Sequence, residues 1–373
     1  MNAAIRRILT GVVAATALAT ATTTHVPLAG AAPTAACSFS PTAAPESAPY
    51  GSAATSSPAS GDYVAQLSGF SSLSQAVEDQ NLATAIRVNN TATKADQTAA
   101  VNDNYDIGTS VIFDAIGSRL YPAFQAAQKA GELPKTSALL IGEESLLGER
   151  VSTSAAKKHF AYKRPFEVTP ARIKHYGDGR PDLYEDVRGS GSYPSGHTAW
   201  GYSEAMVIAA LLPEVGPQVL GRAADYGRHR VVLGVHYPLD VIGGRILAQA
   251  AVADALADPG FAALVRGARE ELRGVLAARV GAPIATAVRC QQNYRSAADY
   301  RSDLTWGFAR SGADRPETVP SHAVELIRAA HPGATDAQLR TILSRTAIPA
   351  GYPLDLTGTA GGWQRLDLQA ALR

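Results

Sequence analysis

The sequence is poor in cysteine, in excess charge of either sign and in long hydrophobic runs, and each shortage excludes a class of protein. Its two cysteines are too few for a disulfide-rich scaffold or for a structural zinc site of four cysteines. Its 34 Lys and Arg against 33 Asp and Glu leave a net charge of +1. Because nucleic-acid binding needs a cationic excess, nucleic acid is not an expected partner. Beyond the N-terminus no run of 18 apolar residues is free of charge, so we expect no stable membrane insertion.

The N-terminus has the pattern of an export signal. Arg6 and Arg7 precede an uncharged, mostly small and apolar run at residues 8–21, and small residues follow at 29–31. A basic start, a short apolar run and a small-residue cleavage site are typical of a secretory signal peptide. We therefore predict a signal peptide over residues 1–31 and a secreted, periplasmic or cell-envelope location. The export route stays open.

The rest of the chain divides by composition. Residues 32–62 are rich in Ala, Pro and Ser and are predicted to form a disordered linker. Residues 63–289 show apolar positions three to four residues apart, which predicts an all-α helical bundle. Any active site of such a bundle is expected between its core helices. The clearest predicted helices are 198–212, 217–228, 239–257 and 261–280. From residue 290 the pattern is turn-rich with two short helices, 322–330 and 336–344, and we treat 290–373 as a short C-terminal appendage of unknown role.

The two cysteines are Cys37 and Cys290. In an exported protein they can form a disulfide between the N-terminal segment and the end of the helical region. Two free thiols are the alternative, and the sequence does not decide between them.

Three short motifs follow one another within the helical region. They are Lys157 with Arg164-Pro165, the run Gly-Ser-Tyr-Pro-Ser-Gly-His-Thr at residues 191–198, and the trio Arg230, His236 and Asp240. The first and third are weak signals alone, because isolated basic residues usually lie on solvated surfaces. All three in order form a specific pattern.

The residue types fit a site for a phosphoryl group. Lys157, Arg164 and Arg230 supply three cations, and an arginine fork can hold two oxygens at once. Ser195 and Gly196 lie just before a predicted helix, where free backbone N–H groups can face an oxyanion. These five residues are therefore the predicted phosphate-binding set.

Two histidines suit separate catalytic tasks. Asp240, four residues after His236, can hold one nitrogen of that imidazole and leave the other to attack phosphorus. His197 can protonate the leaving alcohol and later accept a proton from water. His197, His236 and Asp240 are the predicted catalytic residues.

Together the motifs resemble the signature of the type 2 phosphatidic acid phosphatase superfamily. The run at 191–198 is similar to that of bacterial class A non-specific acid phosphatases, and the similarity covers roughly residues 133–272. The resemblance implies an all-α fold, small phosphate monoesters as substrates, no metal or other cofactor, and a phosphohistidine intermediate. One position departs from the family: His229 stands where a serine usually precedes the arginine of the third motif. This difference leaves the local hydrogen bonding and the pH profile open.

Two other functions remain as alternatives. A vanadate-dependent haloperoxidase uses a similar anion pocket, in which the residue matching His236 would bind vanadium as the cofactor. For the phosphatase, vanadate is expected as an inhibitor, because it mimics the phosphoryl transition state. A non-catalytic, exported anion-binding module is the alternative outside catalysis. The natural substrate and the oligomeric state are unknown at this level.

Overall fold

The computed structural model describes residues 63–106, 111–142, 145–288, 295–316 and 318–373. The predicted signal peptide, the predicted linker, Cys37 and Cys290 lie outside these residues. Within the described ranges the chain forms helices and connecting segments and no strand, which confirms the all-α prediction.

The described chain contains both α-helices and shorter 3-10 turns. In chain order the α-helices are α1 (Val64–Leu67), α2 (Gln75–Thr91), α3 (Lys94–Tyr105), α4 (Leu120–Lys129), α5 (Pro134–Leu140), α6 (Ser154–Phe160), α7 (Pro165–Val168), α8 (Gly196–Leu211), α9 (Gly216–Val232), α10 (Pro238–Ala257), α11 (Pro259–Val280), α12 (Ile284–Ala287), α13 (Ala297–Asp303), α14 (Glu325–Arg328), α15 (Asp336–Thr346) and α16 (Leu368–Ala371). The 3-10 turns are Ser68–Ser72, Val111–Ile116, Gly148–Arg150, Pro213–Val215, Gly358–Ala360 and Trp363–Arg365.

Helix α8 is the centre of the hydrophobic core. Every residue from Thr198 to Leu211 is buried, as expected for a helix covered by neighbours on all sides. Ser195 caps its N-terminus, because its hydroxyl accepts a hydrogen bond from the Thr198 backbone N–H. Helices α9, α10 and α11 pack against α8.

These four helices correspond to the clearest sequence predictions. Proline in the first turn begins α9, α10 and α11, where its missing N–H has no cost. Helix α9 runs past its predicted end at 228 and continues to Val232. Arg230 therefore lies in the last turn of α9 and not in the loop after it, so the helix itself fixes the position of this side chain.

Close approach between α8 and α10 depends on glycine. A Cβ atom on Gly244 of α10 would lie 2.6 Å from the backbone oxygen of Ser195 and 2.9 Å from Cβ of Thr198. Both distances are well below van der Waals contact, so only glycine fits there without a shift of one helix. This approach brings the start of α10, with Asp240, next to the start of α8, with His197.

The described part of the predicted C-terminal appendage packs into the same hydrophobic cluster as α8–α11, through residues that include Leu304, Leu326 and Leu366. Arg245 of α10 is only 2% exposed, and its guanidinium donates to backbone oxygens of this segment. The acceptors are Leu304 at 3.4 Å, Gln364 at 3.0 Å and Leu366 at 3.3 Å. The boundary predicted at 289/290 stays a prediction, but residues 295–316 and 318–373 share their core with the preceding helices.

None of the helices that the structure describes combines the length and the hydropathy that a bilayer span requires. The longest, α11, has 22 residues and carries several charged side chains along its length.

Replacing Gly244 by alanine tests the close approach of α8 and α10. The added methyl would overlap the Ser195 backbone oxygen, and we expect the free energy of unfolding to fall by about 1–3 kcal/mol. Gly177→Ala is the matched control, because a Cβ there has no atom within 4 Å. Thermal or urea unfolding measures both variants. Equal stability of the Gly244→Ala variant and the unmodified protein would contradict the close approach of α8 and α10 at this position.

Candidate active site

The three predicted motifs meet where the start of α8, the last turn of α9 and the start of α10 converge. Lys157 lies on α6, and its Nζ donates to the backbone oxygen of Gly191 at 2.6 Å. Arg164 lies just before α7, and its Nη2 donates to the same oxygen at 3.3 Å. The first motif and the start of the second are therefore joined at one carbonyl group.

His236 and Asp240 form a buried pair at the start of α10. Nδ1 of His236 lies 3.0 Å from Oδ2 of Asp240, and the two side chains are 2% and 0% exposed. The same carboxylate oxygen accepts hydrogen bonds from the Tyr237 backbone N–H at 2.8 Å and from the Ser192 hydroxyl. Burial raises the pKa of Asp240 to about 6, although the hydrogen bonds from Ser192 and Tyr237 oppose the rise. Above that pH Asp240 is an ionised acceptor for the imidazole.

Arg164 determines which nitrogen of the neutral His236 ring carries the proton. Its Nη1 lies 3.0 Å from Nε2 of His236. An arginine can only donate, so Nε2 must accept and the ring proton must reside on Nδ1, facing Asp240. Burial, and then the positive charges of Arg164 and Lys157, lower the pKa of His236 well below its ordinary value. The imidazole is therefore neutral, with its Nε2 lone pair on the side of the cations.

Backbone oxygens hold the guanidinium of Arg164 in place. Its Nε donates to the oxygens of Val187 and Ser190 at 3.1 and 3.2 Å, and its Nη1 donates to that of Val235 at 2.8 Å. These neutral acceptors orient the group without cancelling its charge. The side chain is nevertheless buried, and burial lowers the pKa of Arg164 to about 10.

Burial and the nearby positive charge of Arg164 lower the pKa values of both Lys157 and Arg230. Burial, followed by the nearby charge of Arg164, lowers the pKa of Lys157 to about 7. Burial, together with the charge of Arg164, lowers the pKa of Arg230 to about 10. A bound anion with two negative charges would reverse these shifts, because it would stabilise the protonated forms. The three cations thus form a site whose charge is complementary to a dianion.

Arg230 and His197 meet at Asn104 of α3. Nη1 of Arg230 donates to Oδ1 of Asn104 at 2.7 Å, and Nε2 of His197 donates to the backbone oxygen of Asn104 at 3.1 Å. Nε and Nη2 of the fully buried Arg230 have no hydrogen-bond partner in the part of the chain that the structure describes. Burial, and then the charge of Arg230, lower the pKa of His197 well below its ordinary value. Arg230 therefore keeps donor groups available for a ligand.

Ser195 and Gly196 form the start of α8. The Ser195 hydroxyl accepts from Thr198, as a helix cap does, and the Ser195 backbone N–H donates to the backbone oxygen of Asp240 at 3.0 Å. The first N–H groups of α8 have no acceptor inside the helix. A Cβ on Gly196 would lie 3.3 Å from the Thr153 hydroxyl and 4.0 Å from Cε of Lys157, so this turn lies directly against the first motif.

All eight residues of the predicted site therefore lie together, linked through Gly191, Asp240 and Asn104. Asn104 itself was missed by the sequence analysis, because it lies far from the motifs in the chain and no local pattern distinguishes it. His229, the position that departs from the family, contacts Asp103 of α3: its Nδ1 lies 2.6 Å from Oδ2 of Asp103.

Comparison with known proteins agrees with the family resemblance drawn from the three motifs. Residues 139–257 match the family model described as PAP2 superfamily. The chain is 33% identical over 126 residues to a non-specific acid phosphatase of Salmonella typhimurium, a match that covers 34% of this chain and 48% of that protein. It is 33% identical over 121 residues to a non-specific acid phosphatase of Providencia stuartii, covering 32% and 47%. It is 34% identical over 141 residues to an acid phosphatase of Zymomonas mobilis subsp. mobilis, covering 38% and 51%.

The matched segment extends from α5 to the end of α10 and includes all eight predicted site residues. The chain spans about half the length of the curated relatives it matches. The resemblance drawn from the three motifs is confirmed over this part of the chain: residues 139–257 match the PAP2 superfamily model, and segments of 121–141 residues are 33–34% identical to bacterial acid phosphatases.

Proposed function

We propose that the protein is an exported acid phosphatase that hydrolyses small phosphate monoesters without a metal ion, through a phosphohistidine intermediate. The observation that carries the proposal is the arrangement around His236. A neutral imidazole presents its Nε2 lone pair beside Arg164, within a group of three cations. The acid phosphatase relatives and the PAP2 match support the same reaction class. Export rests on the signal-peptide pattern at residues 1–31.

The cations bind the phosphoryl group in the first step. Lys157, Arg164 and Arg230 surround its oxygens, and the backbone N–H groups at the start of α8 add donors that are already oriented. Binding the dianion raises the pKa values of the groups that the cations had depressed, including that of His197. His197 therefore gains its proton in the complex with substrate, where a general acid is needed.

The chemistry then proceeds in two displacements. Nε2 of His236 attacks phosphorus, the bond between phosphorus and the ester oxygen breaks, and His197 donates its proton to the departing alcohol. Asp240 accepts a hydrogen bond from Nδ1–H and stabilises the positive charge that the phosphorylated imidazole carries. In the second displacement His197 takes a proton from water, the water oxygen bonds to phosphorus, and the P–N bond breaks to release phosphate and restore His236.

Replacing His236 by alanine removes the proposed nucleophile. We expect kcat with p-nitrophenyl phosphate to fall by about a thousandfold or more. His159→Ala is the control, because His159 is an exposed histidine of the neighbouring helix α6 and is expected to retain activity. Rapid acid-free quenching of the unmodified enzyme with substrate should trap a phosphoryl adduct that is labile in acid and stable in alkali. Activity retained by His236→Ala would contradict the mechanism and favour a non-catalytic anion-binding module.

The pH dependence of kcat/KM follows from Asp240 and Lys157. Asp240 must be ionised, so activity is lost as the pH falls through its pKa of about 6. Lys157 must be protonated, so substrate binding weakens as the pH rises through its pKa of about 7. We expect a narrow, mildly acidic to neutral optimum. Lys157→Arg keeps the charge at higher pH and should move the alkaline limb upward. A rate constant that is flat from about pH 5 to about pH 9 is incompatible with this assignment.

Vanadate and chelators distinguish the proposed phosphatase from its alternatives. Orthovanadate resembles the phosphoryl transition state and should inhibit phosphate release competitively, whereas EDTA should leave activity unchanged. The same protein, supplied with vanadate, peroxide and bromide, should oxidise no halide. Loss of phosphatase activity on chelation would overturn metal independence, and halide oxidation would favour the haloperoxidase.

A further inference from the structure

The C-terminal end of α3 contacts two parts of the site that come from different helices. The Asn104 side chain accepts from Arg230 of α9, and the Asn104 backbone oxygen accepts from His197 of α8, at 2.7 and 3.1 Å. One residue therefore determines the direction of a phosphate-binding cation and of the proposed general acid. Asn104 itself belongs to none of the three sequence motifs.

The neighbouring residue anchors this helix end to α9. The Asp103 carboxylate accepts two hydrogen bonds from Arg222, at 2.9 and 2.6 Å, and its Oδ2 also lies 2.6 Å from Nδ1 of His229. Asp103 is 4% exposed. Burial alone would raise the pKa of Asp103, but the hydrogen bonds from His229 and Arg222 lower it below its ordinary value. Asp103 is therefore ionised and paired with two side chains of α9. These contacts fix the position of the adjacent Asn104 along the axis of α9.

The spacing on α9 explains how these contacts act together. Arg222 is followed by His229 seven residues later and by Arg230 eight residues later, which is about two helical turns. All three side chains therefore lie on the face of α9 that meets α3. The first two hold Asp103 and the third is held by Asn104. His229, the departure from the family pattern, thus belongs to the anchor of the helix end.

The chemistry of the amide matters because Arg230 has to keep its charge. An amide oxygen orients a guanidinium through one hydrogen bond, whereas a carboxylate would also neutralise it. The two donor nitrogens of Arg230 that lack partners among the described residues stay available for a phosphoryl oxygen.

We propose that Asn104 is a positioning residue of this site: its amide aims Arg230 and its backbone oxygen aims His197, while Asp103, held by Arg222 and His229, keeps Asn104 in place. This inference rests on the proposed phosphatase function. It extends the set of functional residues to a helix that precedes the matched family segment, residues 139–257.

Two substitutions of Asn104 separate orientation from charge. Asn104→Ala removes the acceptor, so Arg230 loses its fixed direction, and kcat for p-nitrophenyl phosphate should fall about ten- to a hundredfold. Asn104→Asp keeps an acceptor of the same shape and should retain kcat within about threefold of the unmodified enzyme. It adds a negative charge beside Arg230, so KM for the dianionic substrate should rise about tenfold.

The pH profile adds a readout that a purely structural role would not change. His197 faces the positive charges of Arg230, Arg164 and Lys157, with the ring of Tyr226 stacked beside it. A carboxylate at position 104 stabilises protonated His197, so its pKa rises. The alkaline limb of kcat in Asn104→Asp should therefore move to higher pH by up to about one unit, and in Asn104→Ala it should not move upward.

Asn102→Ala is the matched control. Asn102 lies in the same turn of α3 and also accepts from an arginine, Arg180, at 2.8 Å, but this contact is exposed and involves none of the three site cations. Its kcat and KM should equal those of the unmodified enzyme. Thermal unfolding of each variant verifies that the protein is folded.

Substitution of His229 tests the anchor without touching Asn104. His229→Ala should lower kcat in the same direction as Asn104→Ala but by a smaller factor, about threefold. His229→Asn, which keeps a donor near the Nδ1 position, should restore most of the loss. In the His229→Ala/Asn104→Ala double variant the two losses should not multiply, because both act on Arg230.

The outcomes distinguish this inference from the proposed function. An unmodified enzyme that releases no phosphate would overturn both. With an active enzyme, unchanged constants in Asn104→Ala would overturn only the positioning role. Equal losses in Asn104→Ala and Asn104→Asp, with the alkaline limb unmoved, would also overturn it, because that result indicates space filling alone.

Discussion

The concentration of positive charge around His236 is the constraint on which the rest of the site depends. Burial lowers the pKa of Lys157, Arg164 and Arg230, and the positive charge of Arg164 contributes to the shifts of Lys157 and Arg230. The folded chain holds them mainly with neutral acceptors: the backbone oxygens of Val187, Ser190, Gly191 and Val235, and the amide oxygen of Asn104. The dipoles of these carbonyl and amide groups orient the three cations without neutralising their charge. Their positive charge is therefore left largely uncompensated by these acceptors.

The helical architecture supplies the rigidity that this arrangement requires. The cations and imidazoles are attached near helix ends, and those ends are fixed by the buried body of α8, α9 and α10. Glycine at position 244 allows α10 to approach the first turn of α8, so that the Ser195 N–H reaches the Asp240 backbone oxygen at 3.0 Å. Core packing therefore also determines the geometry of the candidate site, since a shift of either helix would move the His236–Asp240 pair away from the start of α8.

Much of this could be predicted from the sequence, because the relevant signals are local. Proline and the Ser195 cap determine where helices begin, and apolar spacing indicates how far they extend. Residues 157, 164, 191–198, 230, 236 and 240 could be assembled into one site because the motifs are dense in charged and imidazole side chains. Asn104 could not be predicted, since its importance arises from two tertiary contacts and its residue type is common on helix surfaces.

The packing of residues 295–373 was also beyond the sequence analysis. Its short helices and many turns carry little periodicity, and Arg245 resembles any charge near the middle of a long helix. Only the folded chain shows that this guanidinium ends among the carbonyl groups of Leu304, Gln364 and Leu366. A buried arginine without acceptors is strongly unfavourable, so the contact binds the two segments into one cooperative unit.

That contact also bears on the order in which the chain folds. Until residues 364–366 have left the ribosome, Arg245 lacks two of its three backbone acceptors, and α10 carries an uncompensated charge in its middle. The nascent chain can form its early helices, yet the helix that bears Asp240 stays incompletely supported. The support of α10 is therefore complete only once residues 364–366 have packed against it.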